Sequence, residues 1–244
     1  MIAGQIVVET AGADIGGSAD SRSPQGRPGS ATDGQPTRQQ TWPPIYRLGG
    51  KRALDLALVL LALPVVLPLL IVLALLVARD GHSPFFLQQR LGWDGRSFRI
   101  FKLRTMVPDA EGALKSILAT DPVAAAEWRR KQKLRNDPRI TPLGHVLRST
   151  SLDELPQLLN VLLGHMSLVG PRPMMPAQRK LYPGTAYFRA RPGITGLWQV
   201  ADRNDNTFAS RADFDARYVE TMSVGLDLRT LARTVAVVFR RTGC

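Results

Sequence analysis

From Leu56 to Ala78 the chain carries 23 consecutive residues with no charged or strongly polar side chain. As a straight helix such a run is roughly 34 Å long, enough to cross a hydrocarbon core of about 30 Å. Two details argue against a simple span. Pro64 and Pro68 sit near its middle, and each removes a backbone hydrogen bond and bends a helix. Basic residues stand on both flanks, with Arg47, Lys51 and Arg52 before and Arg79 after. The positive-inside rule is satisfied if both ends stay on the cytoplasmic face. A helix that bends at the prolines and leaves through the leaflet it entered meets both observations. Each leg of about 12 residues would be roughly 18 Å, too short to span. A kinked spanning helix and a buried core helix stay open on these residues alone.

The residues before this run read differently. Gly, Ser, Pro, Gln, Thr and Asp dominate from Gly12 to Pro44. Such a segment buries too little apolar surface to offset its ordering entropy, so residues 1–44 are expected to be a disordered tail. Met1 to Val8 lacks the basic start and long apolar core of a signal peptide. The net charge is +12, and the first 40 residues hold three Arg against four acids, so the excess lies in the rest. A charge of that size attracts polyanions: nucleotide phosphates, anionic headgroups or nucleic acid. Cys244 is the only cysteine and His82, His145 and His165 show no ligand spacing. Intrachain disulfides and Cys-based metal clusters are thereby excluded.

After the apolar run, Phe85 to Arg90 and Ser97 to Arg104 read as two strands joined by Gly92-Trp93-Asp94-Gly95, a hairpin. Lys102 and Arg104 would share a strand face. Pro108-Asp109-Ala110-Glu111 and Asp121-Pro122 read as helix starts. The second helix, Val123 to about Leu134, is rich in cations toward its end (Arg129, Arg130, Lys131, Lys133), which suits a solvated face or anionic headgroups around Trp128. Near the C-terminus, Asp227 is expected to cap a helix with Leu228, Leu231, Val235 and Val238 at helical spacing and Arg229, Arg233, Arg240 and Arg241 on other faces. That helix could lie in a membrane interface or pack on the core.

The chemistry centres on Ser151-Leu152-Asp153-Glu154-Leu155-Pro156-Gln157. Ser151 and Glu154 match a capping box, while Asp153 as N-cap would put Pro156 in the first turn. Either way both carboxylates sit at the positive end of a helix, a place that also suits phosphate. Arg148 stands one turn upstream, and Arg172 follows in Gly170-Pro171-Arg172-Pro173. Two carboxylates with converging arginines suit phosphate chemistry with a divalent metal. A merely capped, solvated helix is the alternative. Loops from 164 to 196 are rich in Gly and Pro, and arginines held in them can fork onto phosphate oxygens.

Several motifs together resemble the bacterial sugar transferases, the monotopic phosphoglycosyl transferases. They are Lys51-Arg52-x-x-Asp55, Gln89-Arg90-x-Gly92, Phe101-Lys102-Leu103-Arg104-Thr105-Met106, Asp137-Pro138-Arg139-Ile140-Thr141, Arg148 through Gln157, Met166 through Pro173, and Arg191-Pro192-Gly193-Ile194-Thr195-Gly196-Leu197-Trp198-Gln199-Val200. The match runs from about Lys51 to the C-terminus. It departs from the family at Leu67, His165 and Asp202, none in the carboxylate pair.

The resemblance implies an α+β, mostly helical fold. A re-entrant membrane helix over 45–80, bent at Pro64 and Pro68, would precede a compact cytosolic catalytic domain over 81–244 with amphipathic interfacial helices and a small β-hairpin. It implies a phosphotransferase that moves a sugar 1-phosphate from a UDP-sugar, galactose or glucose favoured, to undecaprenyl phosphate in exopolysaccharide synthesis. Asp153 would be the nucleophile and UMP the leaving group. Asp153 and Glu154 would hold Mg²⁺. Arg148, Arg172, Lys102, Arg104, Arg191, Gly193, Thr195 and Gln199 would contact phosphate or substrate. The expected place is the bacterial inner membrane, catalytic domain on the cytoplasmic face, among membrane lipids. No nucleic-acid partner is expected, and a homo-oligomer is compatible. The competing reading is a membrane-tethered basic protein that binds anionic lipid or nucleic acid without catalysis.

Overall fold

The computed structural model describes residues 46–131, 134–201 and 208–239. The expected tail over 1–44, Lys133, Asp202, and Arg240 with Arg241 lie outside the described residues. A short helical lead-in, Tyr46–Gly50, runs into α1, Lys51–Val77, which is continuous through Pro64 and Pro68. Helix α1 is about 40 Å long at 1.5 Å per residue. It is the one described helix long and apolar enough to cross a membrane. Leu61, Val65 and Leu75 are each two-thirds exposed or more, the opposite of a core helix.

Both ends of α1 are nevertheless tied to the rest of the fold. At its start Arg52 donates to the carbonyls of Val161 and Leu162. At its end Leu73 and Val77 pack on Leu103 and Leu147. There Arg104 forks onto Asp80 at 2.7 and 2.6 Å and donates to the carbonyls of Ser83 and Val77.

The expected hairpin forms. Strand β1, Phe85–Leu91, pairs antiparallel with β2, Ser97–Leu103, in a register that sets Phe86 opposite Lys102 and Arg90 opposite Phe98. The turn works because Asp94 and Gly95 take positive φ. Helix α2, Ala110–Thr120, starts at Asp109, whose carboxylate accepts from Gly112 N. Helix α3, Pro122–Lys131, starts at Asp121, which accepts from Val123 N and Ala124 N. The cap at Asp121 matches the sequence reading, while at the other start Asp109 is the cap and Pro108 precedes the helix instead of lying in its first turn. Arg139 stacks 5.4 Å from the Trp128 ring, so that tryptophan faces a cation of its own domain.

Helix α4, Pro142–Ser149, is followed by α5, Gln157–Leu162. Strand β3, Ser167–Val169, and β4, Gly193–Thr195, form a small parallel pair. The sequence reading missed this pair, since three-residue strands inside Gly/Pro loops show no alternation. It demands glycine: a Cβ on Gly193 would lie 2.1 Å from Gly170 N. Helices α6, Leu197–Val200, α7, Arg211–Thr221, and α8, Val224–Phe239, complete the fold. The result is mostly helical with two small sheets.

Asp227 does not cap α8, which begins three residues earlier. Instead Ser223 Oγ accepts from Leu226 N. Asp227 is buried and accepts from Tyr46 Oη at 2.6 Å and Tyr218 Oη at 3.0 Å, with Lys51 Nζ at 2.7 Å. A charged partner 176 residues upstream outcompetes a local backbone bond.

Candidate active site

Ser151 has φ 57° and makes no capping bond. The chain therefore turns sharply before Leu152–Glu154, a single 3₁₀ turn, and α5 starts only after Pro156. Neither capping scheme expected from the sequence forms. The reason is that Glu154 is engaged elsewhere: Lys102 Nζ lies 2.7 Å from its Oε1. The same ammonium is 3.5 Å from Asp153 Oδ2. Asp153 is 7% exposed. Burial pushes its carboxyl above the usual range, and Glu154 adds to this, while Lys102 and Arg148 pull it back.

The pair opens into a cavity of about 570 Å³, lined also by Arg90, Lys102, Arg104, Arg148 and Arg172. Helix α4 supplies Arg148, and its placement is specified closely. A Cβ on Gly144 would sit 2.0 Å from the Thr105 carbonyl oxygen, so only glycine lets α4 dock there. Thr105, buried at the end of β2, then accepts from Arg148 Nε at 2.9 Å. Using Nε for this bond leaves both terminal nitrogens of Arg148 for the cavity. Arg90, absent from the expected set, reaches the cavity because it shares a hairpin face with Lys102. The alternation on β1 and the Gly92–Gly95 turn carried that signal.

Other expected site residues divide. Arg104 lines the cavity, but Asp80 and two carbonyls engage its guanidinium, so it fastens the end of α1. Thr195 and Gln199 line an adjoining groove with Glu154 and Arg172. Gly193 is spent on the β3–β4 pairing, its N–H donating to the Pro171 carbonyl at 2.8 Å. Arg191 lines a different cavity, beside Lys51 and Asp55. There its Nε donates to the Gly164 carbonyl and its guanidinium sits 5.4 Å from the Trp93 ring. The structure does not bring Arg191 to the carboxylate pair.

A buried carboxylate nucleophile candidate, a cation bridging it to its neighbour, and arginines across an open cavity suit phosphoryl chemistry. Comparison with known proteins agrees. The family model for bacterial sugar transferases matches residues 46–241. A UDP-galactose-lipid carrier transferase of Erwinia amylovora is 49% identical over 195 residues, 79% of this chain and 41% of that protein. The exopolysaccharide production protein ExoY of Sinorhizobium fredii is 44% identical over 199 residues, 80% of this chain and 88% of that one. A UDP-glucose:undecaprenyl-phosphate glucose-1-phosphate transferase of Caulobacter vibrioides is 39% identical over 196 residues, 76% and 68% of the two chains. The chain thus spans about two fifths of the Erwinia protein's length but most of ExoY's. With its carboxylate pair and cavity inside the matched span, the chain belongs to the bacterial sugar transferase family.

Proposed function

We propose that this protein is a membrane phosphotransferase that moves a hexose 1-phosphate from a UDP-sugar to undecaprenyl phosphate and so initiates exopolysaccharide synthesis. The observation that carries the reading is Asp153, buried beside Glu154 and Lys102 at the wall of an arginine-lined cavity. An Asp153 oxygen attacks the phosphorus bearing the sugar. A bond forms from Oδ to phosphorus, the bridge to the second phosphate breaks, and its electron pair leaves with UMP. An oxygen of the lipid phosphate then attacks the same phosphorus. The Oδ–phosphorus bond breaks, the carboxylate returns, and the sugar ends on a lipid diphosphate. Phosphates repel a carboxylate, so this charge must be neutralised. Lys102, Arg148, Arg172 and Arg90 supply it, and Thr105 holds Arg148 in place.

The carboxylate pair also suits Mg²⁺. No group of three or more His, Cys, Asp or Glu occurs among the described residues, but Mg²⁺ typically takes one or two carboxylates plus waters and substrate phosphates. The ammonium of Lys102 between Asp153 and Glu154 supports the pair as a seat for positive charge. Bound there, the ion would offset charge on the diphosphate.

The re-entrant reading of α1, with the catalytic part on the cytoplasmic face, is supported by its two ends. Both are fastened to one compact body, Gln40–Cys244, by Arg52 at the start and Arg104 at the exit. A straight span would carry those ends to opposite sides of the bilayer. Galactose or glucose as the sugar follows from the names of the Erwinia and Caulobacter relatives.

The test is UMP release. Protein in nanodiscs with Mg²⁺, undecaprenyl phosphate and a panel of UDP-sugars should release UMP from one hexose donor. Asp153→Asn should lower that rate by at least about 10³-fold. Silence across the panel from folded, lipid-bound protein would favour the binding-protein reading instead.

A further inference from the structure

Glu154, the neighbour of Asp153, borders two cavities of different character. Beside the basic one lies a groove of about 290 Å³. Its walls are largely apolar: Leu152, Leu155, Leu158, Ile194, Val200 and Val237. The two spaces share Ser151, Glu154 and Arg172, so a molecule in the groove can present a charged head to the same arginine, next to Asp153 in the chain. The groove also continues toward the apolar helix. Leu152 and Leu155 pack in the cluster built by Leu70, Leu73, Ala74 and Val77 of α1. No charged residue other than Glu154 and Arg172 lines it, which makes it a poor home for a nucleotide and a good one for hydrocarbon.

We infer that this groove is the acceptor subsite. It takes the phosphate-proximal carbons of a long-chain lipid phosphate, with the phosphate at Arg172 and the remaining chain running along the C-terminal half of α1 into the bilayer. The inference rests on the proposed reaction, and assigns the two substrates to two sides of Asp153–Glu154. The nucleotide sugar approaches through the basic cavity and the lipid through the apolar groove. Arg172, which lines both, meets each phosphate in turn.

Two half-reactions separate the sides. In nanodiscs, Val200→Gln and Val237→Gln should leave the UMP burst from donor alone unchanged. Transfer to a long polyprenyl phosphate should fall at least tenfold in kcat/KM. Transfer to a short, water-soluble prenyl phosphate should fall as well, because its few carbons are the phosphate-proximal ones that the groove takes. Equal loss in the burst and in transfer, or full transfer to the long acceptor, overturns the subsite. Wild-type protein supplies a measurement independent of any variant's folding. A prenyl phosphate with a photoreactive group near its phosphate should label α5, α6 or α8, and labelling confined to α2 or α3 overturns the assignment. A wild-type protein that gives no UMP burst with any donor removes the parent reaction. A normal burst with the wrong acceptor pattern removes only the subsite.

Discussion

The molecule contains two clusters with the same formula, one lysine between two carboxylates, and they differ in how accessible they are. In the first, Lys51 lies 3.1 Å from Asp55 and 2.7 Å from Asp227. Asp55 also accepts from Ser167 Oγ and Leu168 N, and Asp227 from Tyr46 and Tyr218. Both carboxylates are nearly inaccessible, 2% and 1% exposed. In the second, Lys102 bridges Asp153 and Glu154 beside an open cavity with arginines across it. Charge composition does not distinguish a fastening from a reactive site. Access does: the Lys102 and Glu154 side chains are 23% and 22% exposed, against 3% and 1% for Asp55 and Asp227, and a buried ion held on every side cannot approach a substrate without losing those bonds.

The comparison can be broken most severely at Asp227. Asp227→Leu strands the Lys51 ammonium and the Tyr46 and Tyr218 hydroxyls, and should cost about 3–5 kcal/mol in denaturant midpoint. Asp153→Leu should cost far less, because it removes a carboxylate that burial already disfavours as an ion. Equal losses at the two positions would dissolve the distinction.

Lys102→Met attacks the open cluster. It should lower kcat by about 10²–10³-fold, roughly 3–4 kcal/mol, as loss of a transition-state cation does, with the melting temperature little changed. It also moves the pH profile. The Asp153 carboxyl is already raised in the fold, so the ionised nucleophile disappears as pH falls through a value above the ordinary range. Lys102 opposes that rise, and its removal should push the acid limb of kcat further up. An unmoved limb would mean that Lys102 does not sense Asp153.

A smaller effect sharpens the rule at Asp215, a buried carboxyl with Tyr182 Oη at 2.8 Å and no ion pair among the described residues. Burial pushes it up to about 6. The native state then holds its proton more tightly than the unfolded chain, so stability is greatest below pH 4 for this group and declines as pH rises to about 6. Asp215→Asn should remove that decline, on the order of 3 kcal/mol over the whole range at about 1.4 kcal/mol per pKa unit. Thermal melts at pH 5 and pH 8 would show it, and identical pH dependence in both proteins would refute it.

Much of this was legible in the residue order. The apolar length of α1, the hairpin around Gly92–Gly95, the helix start near Asp109, the cap at Asp121, and the adjacency of Asp153 and Glu154 are all properties of neighbours. Periodicity, turn chemistry and capping act over a few residues, so a linear reading captures them. Arg191 and Asp227 were assigned substrate or local roles that the fold redirects, Arg104 gains a second task at the end of α1, and Arg90 and Thr105 stood in quoted motifs with no role assigned. Their partners are far away in sequence: Tyr46 reaches Asp227 across 181 residues and Thr105 holds Arg148 across 43. By itself, then, the sequence determined the long apolar helix, the hairpin, the starts of α2 and α3, and the adjacency of the two carboxylates. Tertiary structure alone decided which lysine–carboxylate cluster is closed in and which stays accessible beside its cavity, because burial depends on segments that meet only when the chain is folded.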